Sequence, residues 1–195
     1  MNDRKPKAAG RKDRNRRGPR KATPEYLERS ALFYLGRYAS PSGHLRRLLL
    51  AKVARSARFH GTDAEAGAEA VEQLVARLTR AGLLDDAGYA ASRARSLMRR
   101  GASARAIRAK LLQKHLAPAL IDQALAGLVE EAREPELAAA LTYARRRRLG
   151  PYRIGARIEH RERDLAALSR QGFDLDTARK VIDAEDLAQL EAEVQ

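Results

Sequence analysis

From Thr23 to Ile182 the chain repeats one local pattern: a short stripe of apolar residues at helical spacing, cut off within a few turns by Gly, Pro or a polar capping residue. Leu45, Leu48, Leu49 and Val53 form one such stripe, and Val71, Leu74, Val75 and Leu78 form another. Apolar residues at i, i+3, i+4 and i+7 lie on one face of a helix. Helices this short are marginal alone and gain their stability by burying that face on a neighbour. The chain is rich in Ala, Leu, Arg and Glu, which favour helix. It has no alternating Val, Ile and Thr runs of the kind that make strands. The fold class expected is therefore all-α.

Nine helices follow from the punctuation. The first opens at Thr23-Pro24 and runs to about Ala39, since Pro suits the first helical turn. The second begins near Ser42, which can cap it, and breaks over Phe59 to Asp63. The third ends at Gly82. Asp85 or Asp86 caps a fourth that ends at Gly101, and Ser103 caps a fifth. Pro118 opens a sixth and Pro135 a seventh, with Gly150-Pro151 as its stop. Ile158, Leu165 and Leu168 mark an eighth, and Leu175, Ala178, Val181 and Ile182 a ninth. These nine fall into three groups of three. The turns Lys114-His115-Leu116 and Gln171-Gly172-Phe173 match at an offset of 57, and Phe59-His60-Gly61 resembles both. Three-helix repeats that share faces fit this degenerate similarity; a single irregular helical domain fits it as well.

Charge bears on function. The chain has 195 residues, with 39 Lys and Arg against 25 Asp and Glu, a formal net charge of +14. A chain this basic seeks polyanions, usually nucleic acid, otherwise an acidic protein or membrane surface. Residues 1–21 hold ten of the cations and two acids, Asp3 and Asp13. They lack apolar periodicity, so a disordered basic arm is expected over residues 1–22, able to add weak, non-specific phosphate affinity. No hydrophobic run follows Met1, so no secretory signal is expected. No window approaches the roughly 20 apolar residues of a membrane span. With no cysteine for a disulfide, a cytoplasmic location is expected.

Signals for chemistry are few. There is no GxxxxGK[ST] loop and no GxGxxG after a strand. His44, His60, His115 and His160 are not paired at the i, i+4 spacing that would set two ligands on one helix face. Neither a metal nor a cofactor is expected. The adjacent Asp85 and Asp86 invite an acid/base reading, and a nuclease would need both to converge on a substrate. A helix cap, with its charge at the positive end of the dipole, is the simpler role.

The basic clusters say more. Arg99 and Arg100 stand at a helix end, with Arg105, Arg108 and Lys110 on the next helix. Arg145, Arg146, Arg147 and Arg148 form a run. Arg153, Arg157 and Arg161 are spaced to share one helix face, which could grip phosphates or carboxylates with bidentate geometry. A solvated face balanced by Glu159, Glu162 and Asp164 competes with that reading. The six Tyr and three Phe sit mostly at apolar positions, so stacking on single-stranded bases is not evident. A general nucleic-acid-binding protein remains open at this point.

One segment is more specific. Gly82-Leu83-Leu84-Asp85-Asp86-Ala87-Gly88-Tyr89-Ala90 resembles the signature of the RecX family of recombination regulators. That signature reads Gly-Leu-hydrophobic-Asp-Asp, two variable residues, an aromatic and Ala. Gly101, Ile107, Leu111, the turn at 114–116, Ile121 and Ala124-Leu125 resemble the family's second block. Ala31-Leu32, Tyr34-Leu35 and Leu45 to Leu48 resemble its first. The resemblance covers about residues 24–186. His115 stands where the family usually has Gly, which leaves a left-handed backbone there open, since His tolerates it better than a branched residue, and Pro41 and His44 also depart from the pattern. The third group is the least similar, and the basic arm is not a general family feature.

The resemblance implies an elongated array of three tandem three-helix repeats, 23–84, 85–132 and 133–195. It implies a protein without a catalytic site that binds the RecA recombinase and lodges in the groove of its filament on single-stranded DNA; the repeat reading favours a monomer. Filament growth, ATP hydrolysis and strand exchange would then fall. On this reading Gly82, Leu83, Leu84, Asp85, Asp86, Tyr89 and Ala90 are structural, and the arginines named above face partner or DNA.

Overall fold

A computed structural model describes residues 18–194. Most of the basic arm lies outside the described residues. Residues 18–22, its last part, run without helix against the first helical unit. The Ala22 N–H donates to Ser56 Oγ at 3.0 Å, and His60 Nε2 lies 2.5 Å from the Pro19 carbonyl. Among the described residues there is no strand. The chain divides into two compact units.

The first unit comprises residues 18–39 and 45–83. It holds α1 (Pro24–Leu35), most of α2 (Ser42–His60) and α3 (Ala64–Arg80). Thr23 caps α1 and Asp63 caps α3, each side chain accepting from N–H groups of the first turn. The core is the stripes of the sequence: Leu27 and Ala31 from α1, Leu45, Leu49 and Val53 from α2, and Val71, Leu74 and Leu78 from α3. Gly67 lets α3 approach α2, because a Cβ there would lie 2.6 Å from a Val53 methyl. The helix α1 ends at Leu35 rather than near Ala39, with Gly36 as its C-cap. The buried Ser56 is satisfied by Ala22 N–H and by Thr62 Oγ1.

The second unit comprises residues 40–44 and 84–194, so it includes the first turn of α2. Its helices are α4 (Asp86–Met98), α5 (Ala104–Leu112), α6 (Pro118–Glu131), α7 (Pro135–Arg147), α8 (Arg161–Arg170), α9 (Leu175–Ile182) and α10 (Leu187–Ala192), with a 3-10 turn over Gly150–Tyr152. The helices α4, α5 and α6 pack on one another; so do α7, α8 and α9, and α4 also packs on α7. One continuous core runs through all of them, from Ala90 and Ala94 on α4 to Leu190 on α10. The sequence pattern predicts nine helices; α10 is an addition, capped by Asp186. It escapes periodicity because its six residues bury only Leu190.

The two matched turns have the same backbone. His115 (φ +59) and Gly172 (φ +91) are both left-handed, and the next residue, Leu116 or Phe173, is buried. In both, that residue's N–H returns to a carbonyl five residues earlier, Leu111 or Leu168, which closes the helix end. The left-handed backbone forms at His115 although it is not Gly. A side chain in that region costs roughly 1 kcal/mol or more, while Gly loses more entropy on folding. His115→Gly is therefore expected to raise stability by about 0.5 to 1 kcal/mol. Urea unfolding measures it, and a loss of stability would mean that the His115 side chain makes a contact that outweighs its backbone strain.

Candidate functional site

The two aspartates of the Gly82–Ala90 segment are both engaged in structure. Asp85 caps α4, its Oδ1 accepting from Gly88 N–H at 2.9 Å. A Cβ at residue 88 would lie 2.2 Å from the other Asp85 oxygen, so a side chain there would require that carboxylate to turn slightly. Asp86 Oδ1 accepts from Ser42 N–H at 2.7 Å, and its Oδ2 accepts from Ser42 Oγ at 2.6 Å. Ser42 was expected to cap α2; instead it begins the helix, and the Asp86 carboxylate satisfies its backbone. Gly82 is left-handed (φ +72), Leu84 and Ala90 are buried, Tyr89 packs on the core, and Leu83 is exposed. The pair is thus a cap and a helix clamp. Among the described residues no group of three or more His, Asp or Glu is placed to hold a metal ion.

Two arginine clusters, distant in sequence, meet. The helix α4 ends at the left-handed Gly101 (φ +81), which lies against the backbone of α7. A Cβ at Gly101 would sit 2.8 Å from Tyr143 N and 3.1 Å from the Ala139 carbonyl. This close approach brings Arg99 and Arg100 beside the run Arg145–Arg148, and Arg146 donates to the Arg100 carbonyl at 3.0 Å. Both clusters stand at helix C-termini, where the dipole favours cations. Arg148 itself is left-handed (φ 54) and closes α7. Arg99, Arg147 and Arg148 are exposed, and their side chains make no hydrogen bond or ion pair within the described residues. Arg105, also exposed and unpaired, starts α5 beside the α8–α9 turn, where Ser103 Oγ donates to the Gln171 carbonyl at 2.6 Å.

Other arginines of the expected set are held internally. Arg108 pairs with Asp122 at 2.5 Å. Arg145 pairs with Glu191 at 2.5 Å and lies over the Tyr152 ring, and Tyr152 Oη also donates to Glu191. Arg153, Arg157 and Arg161 do not share a helix face. The segment between the 3-10 turn and α8 is irregular, with left-handed Gly155 and Ala156. All three anchor it: Arg153 to Asp164, Arg157 to the carbonyls of Ile182 and Ala184 at 2.8 and 2.6 Å, and Arg161 to Asp183 and Glu162. Ile158, expected inside, is 89% exposed.

The comparisons with known proteins agree with this helical frame. A family model described as RecX, second three-helix domain, matches residues 85–125, the stretch that forms α4, α5 and the first half of α6. The curated Regulatory protein RecX of Myxococcus xanthus (strain DK1622) is 45% identical over 175 residues, covering 89% of this chain and 92% of its own. The chain belongs to the RecX family. Two solved RecX structures have the same fold. The crystal structure of RecX from Lactobacillus salivarius aligns with TM-score 0.60 at 17% identity, over 87% of this chain and 97% of its own. A second, described as a regulatory protein RecX, aligns with TM-score 0.57 at 22% identity, over 83% and 72%.

Asp164 is the site residue that sequence reasoning treated only as a balancing charge. It is 1% exposed and receives Arg153 and the Gly150 N–H, which ties α8 to the 3-10 turn after α7. Burial alone would raise its carboxyl; hydrogen bonds from Arg153 and Gly150 and the Arg153 charge bring it below its ordinary value of 3.8. A carboxylate lowered by folding contributes stability above its unfolded value and loses that contribution as pH falls through the folded one. Asp164→Asn is therefore expected to lower stability at pH 7, and by progressively less below about pH 4. Urea titrations at the two ends of that range test it; an equal loss at both would assign the effect to shape rather than charge.

Proposed function

We propose that this chain is a non-enzymatic regulator that binds RecA and its filament on single-stranded DNA, and so inhibits filament extension, ATP hydrolysis and strand exchange. Membership of a family of regulatory proteins, with 45% identity along nearly the whole chain, carries the reading. Two features support it. The only adjacent carboxylates of the signature segment are taken up by a cap and a clamp. The arginines left without internal partners at the α4 and α7 ends form a cationic surface suited to carboxylates or phosphates.

On this reading the chain works as a cytoplasmic monomer of three tandem three-helix repeats, 23–84, 85–132 and 133–195. The basic arm adds weak, salt-sensitive DNA affinity. Arg99, Arg105, Arg147 and Arg148 make the outward contacts, joined by the exposed Arg100 and Arg146. Arg108, Arg145, Arg153, Arg157 and Arg161 shape the surface and reach a partner only through what their internal pairs leave free.

The test is the single-stranded-DNA-dependent ATPase of RecA from the same organism, with this protein titrated well below one per RecA. Strong inhibition at that ratio is expected. Inhibition that begins only as the DNA saturates would make the chain a general basic nucleic-acid binder. Arg147→Ala with Arg148→Ala is expected to weaken inhibition at low salt and flatten its salt dependence, because exposed charges act over about 8–10 Å before screening. Unchanged inhibition would remove this surface from the mechanism.

A further inference from the structure

The first unit contains a groove of about 540 Å³ along α1 and α2. Its floor is aliphatic, with Leu48 and Leu49 of α2, and its wall is aromatic, with Tyr26 and Phe33 of α1. Four cations line it, Arg20, Arg29, Lys52 and Arg55, and among the described residues no carboxylate does. Phe33 is 63% exposed and adjoins the apolar floor, so ring and floor form one patch rather than an isolated exposed side chain. The residues come from two helices and from the segment before α1, so no single stretch of sequence displays the groove.

We propose that this groove docks an acidic amphipathic helix of a partner protein, with apolar side chains between α1 and α2 and carboxylates on Arg20, Arg29 and Arg55. An amphipathic helix laid in an apolar groove uses anchors at i, i+3 or i+4 and i+7. Charge of one sign around the rim selects for the opposite sign and speeds encounter. The floor distinguishes this ligand from single-stranded nucleic acid. A base buried there would find leucines where its edges need hydrogen-bond partners. The ring faces that bases would stack on are already attended by cations: Arg37 lies 4.2 Å from the Phe33 centroid, and Lys52 lies 5.3 Å from that of Tyr26. Lys52 also donates to Tyr26 Oη at 3.4 Å, so the aromatic wall and the cationic rim are one structure. Leucine side chains and ring edges remain for an apolar anchor, and Arg20, Arg29 and Arg55 remain for carboxylates. The proposal does not depend on the identity of the partner, and the RecA reading stands or falls without it.

The probe is a labelled peptide of about 18 residues, five helical turns, with Leu and Phe at the i, i+3, i+4, i+7 positions and Glu elsewhere. A control peptide of identical composition has its apolar residues dispersed. Fluorescence anisotropy with the full chain at about 150 mM salt compares them. The amphipathic peptide is expected to bind at least about tenfold more tightly than the control, and Phe33→Ala to remove about tenfold of its affinity. Arg29→Glu with Arg55→Glu is expected to do the same. These side chains are exposed, and circular dichroism checks that the helices persist. Equal binding of both peptides, or none, overturns the proposal, since the basic residues at 1–17 would attract any acidic chain. A Phe33→Ala variant that loses binding to oligo-thymidine while keeping the peptide also overturns it and assigns the groove to nucleic acid. RecA ATPase inhibition, measured on the same variants, reports on the functional reading separately.

Discussion

The second unit rests on close packing around α4. Ala90 and Ala94 are fully buried, and their small side chains let α6 and α7 approach the α4 backbone. Larger residues, Leu97 and Met98, fill the far end. The partner faces are built in the same way, with Ala139, Ala140 and Ala144 buried on α7. Seven short helices, none able to stand alone, are stabilised because one of them is shared by both three-helix groups. Burial of apolar surface supplies the driving force. The alanines and Gly101 set the distance at which it acts, and that distance brings the α4 and α7 arginines together.

This dependence explains what the sequence made legible. Caps and stops are local chemistry, so Thr23, Asp85 and Ser103 cap helices as their residue types and neighbours say they should. The stripes through Leu45, Leu49 and Val53 and through Val71, Leu74 and Leu78 are likewise buried as their spacing requires. Long-range placement was less visible. Arg153, Arg157 and Arg161 have perfect helical spacing, yet Gly150-Pro151 and the left-handed pair at 155 and 156 interrupt the helix that spacing presumes. Spacing also says nothing about which carbonyl a guanidinium will meet. The Asp86–Ser42 clamp joins residues 44 apart, and no periodicity predicts it. The Tyr and Phe residues sit mostly at apolar positions of the pattern, yet Phe33 is exposed beside a groove.

Arginine dominates the electrostatics for a related reason. Of the 39 basic residues, 31 are Arg and eight are Lys. A guanidinium offers five donors in a planar fork and stays charged at any relevant pH, so it can bind two acceptors at once. Arg157 does this with two main-chain carbonyls and Arg161 with both oxygens of Asp183. Such arginines hold an irregular segment in place of hydrogen bonds that a helix would supply. A positive net charge is therefore a poor guide to binding surface in this fold, because part of it is consumed in anchoring loops.

The outward-facing remainder is patterned. At the α4 and α7 ends, exposed arginines stand on helix C-termini, an arrangement suited to charge. Along α1 and α2, cations line an aliphatic and aromatic groove, an arrangement suited to charge together with apolar shape. Pure charge recognition is screened by salt and tolerant of the partner's sequence. Recognition that also buries apolar side chains persists in salt and discriminates among partners of equal charge. If both proposals hold, the two kinds of surface lie on separate units, so that broad attraction to a polyanion and choice among protein partners would be carried by different parts of the chain.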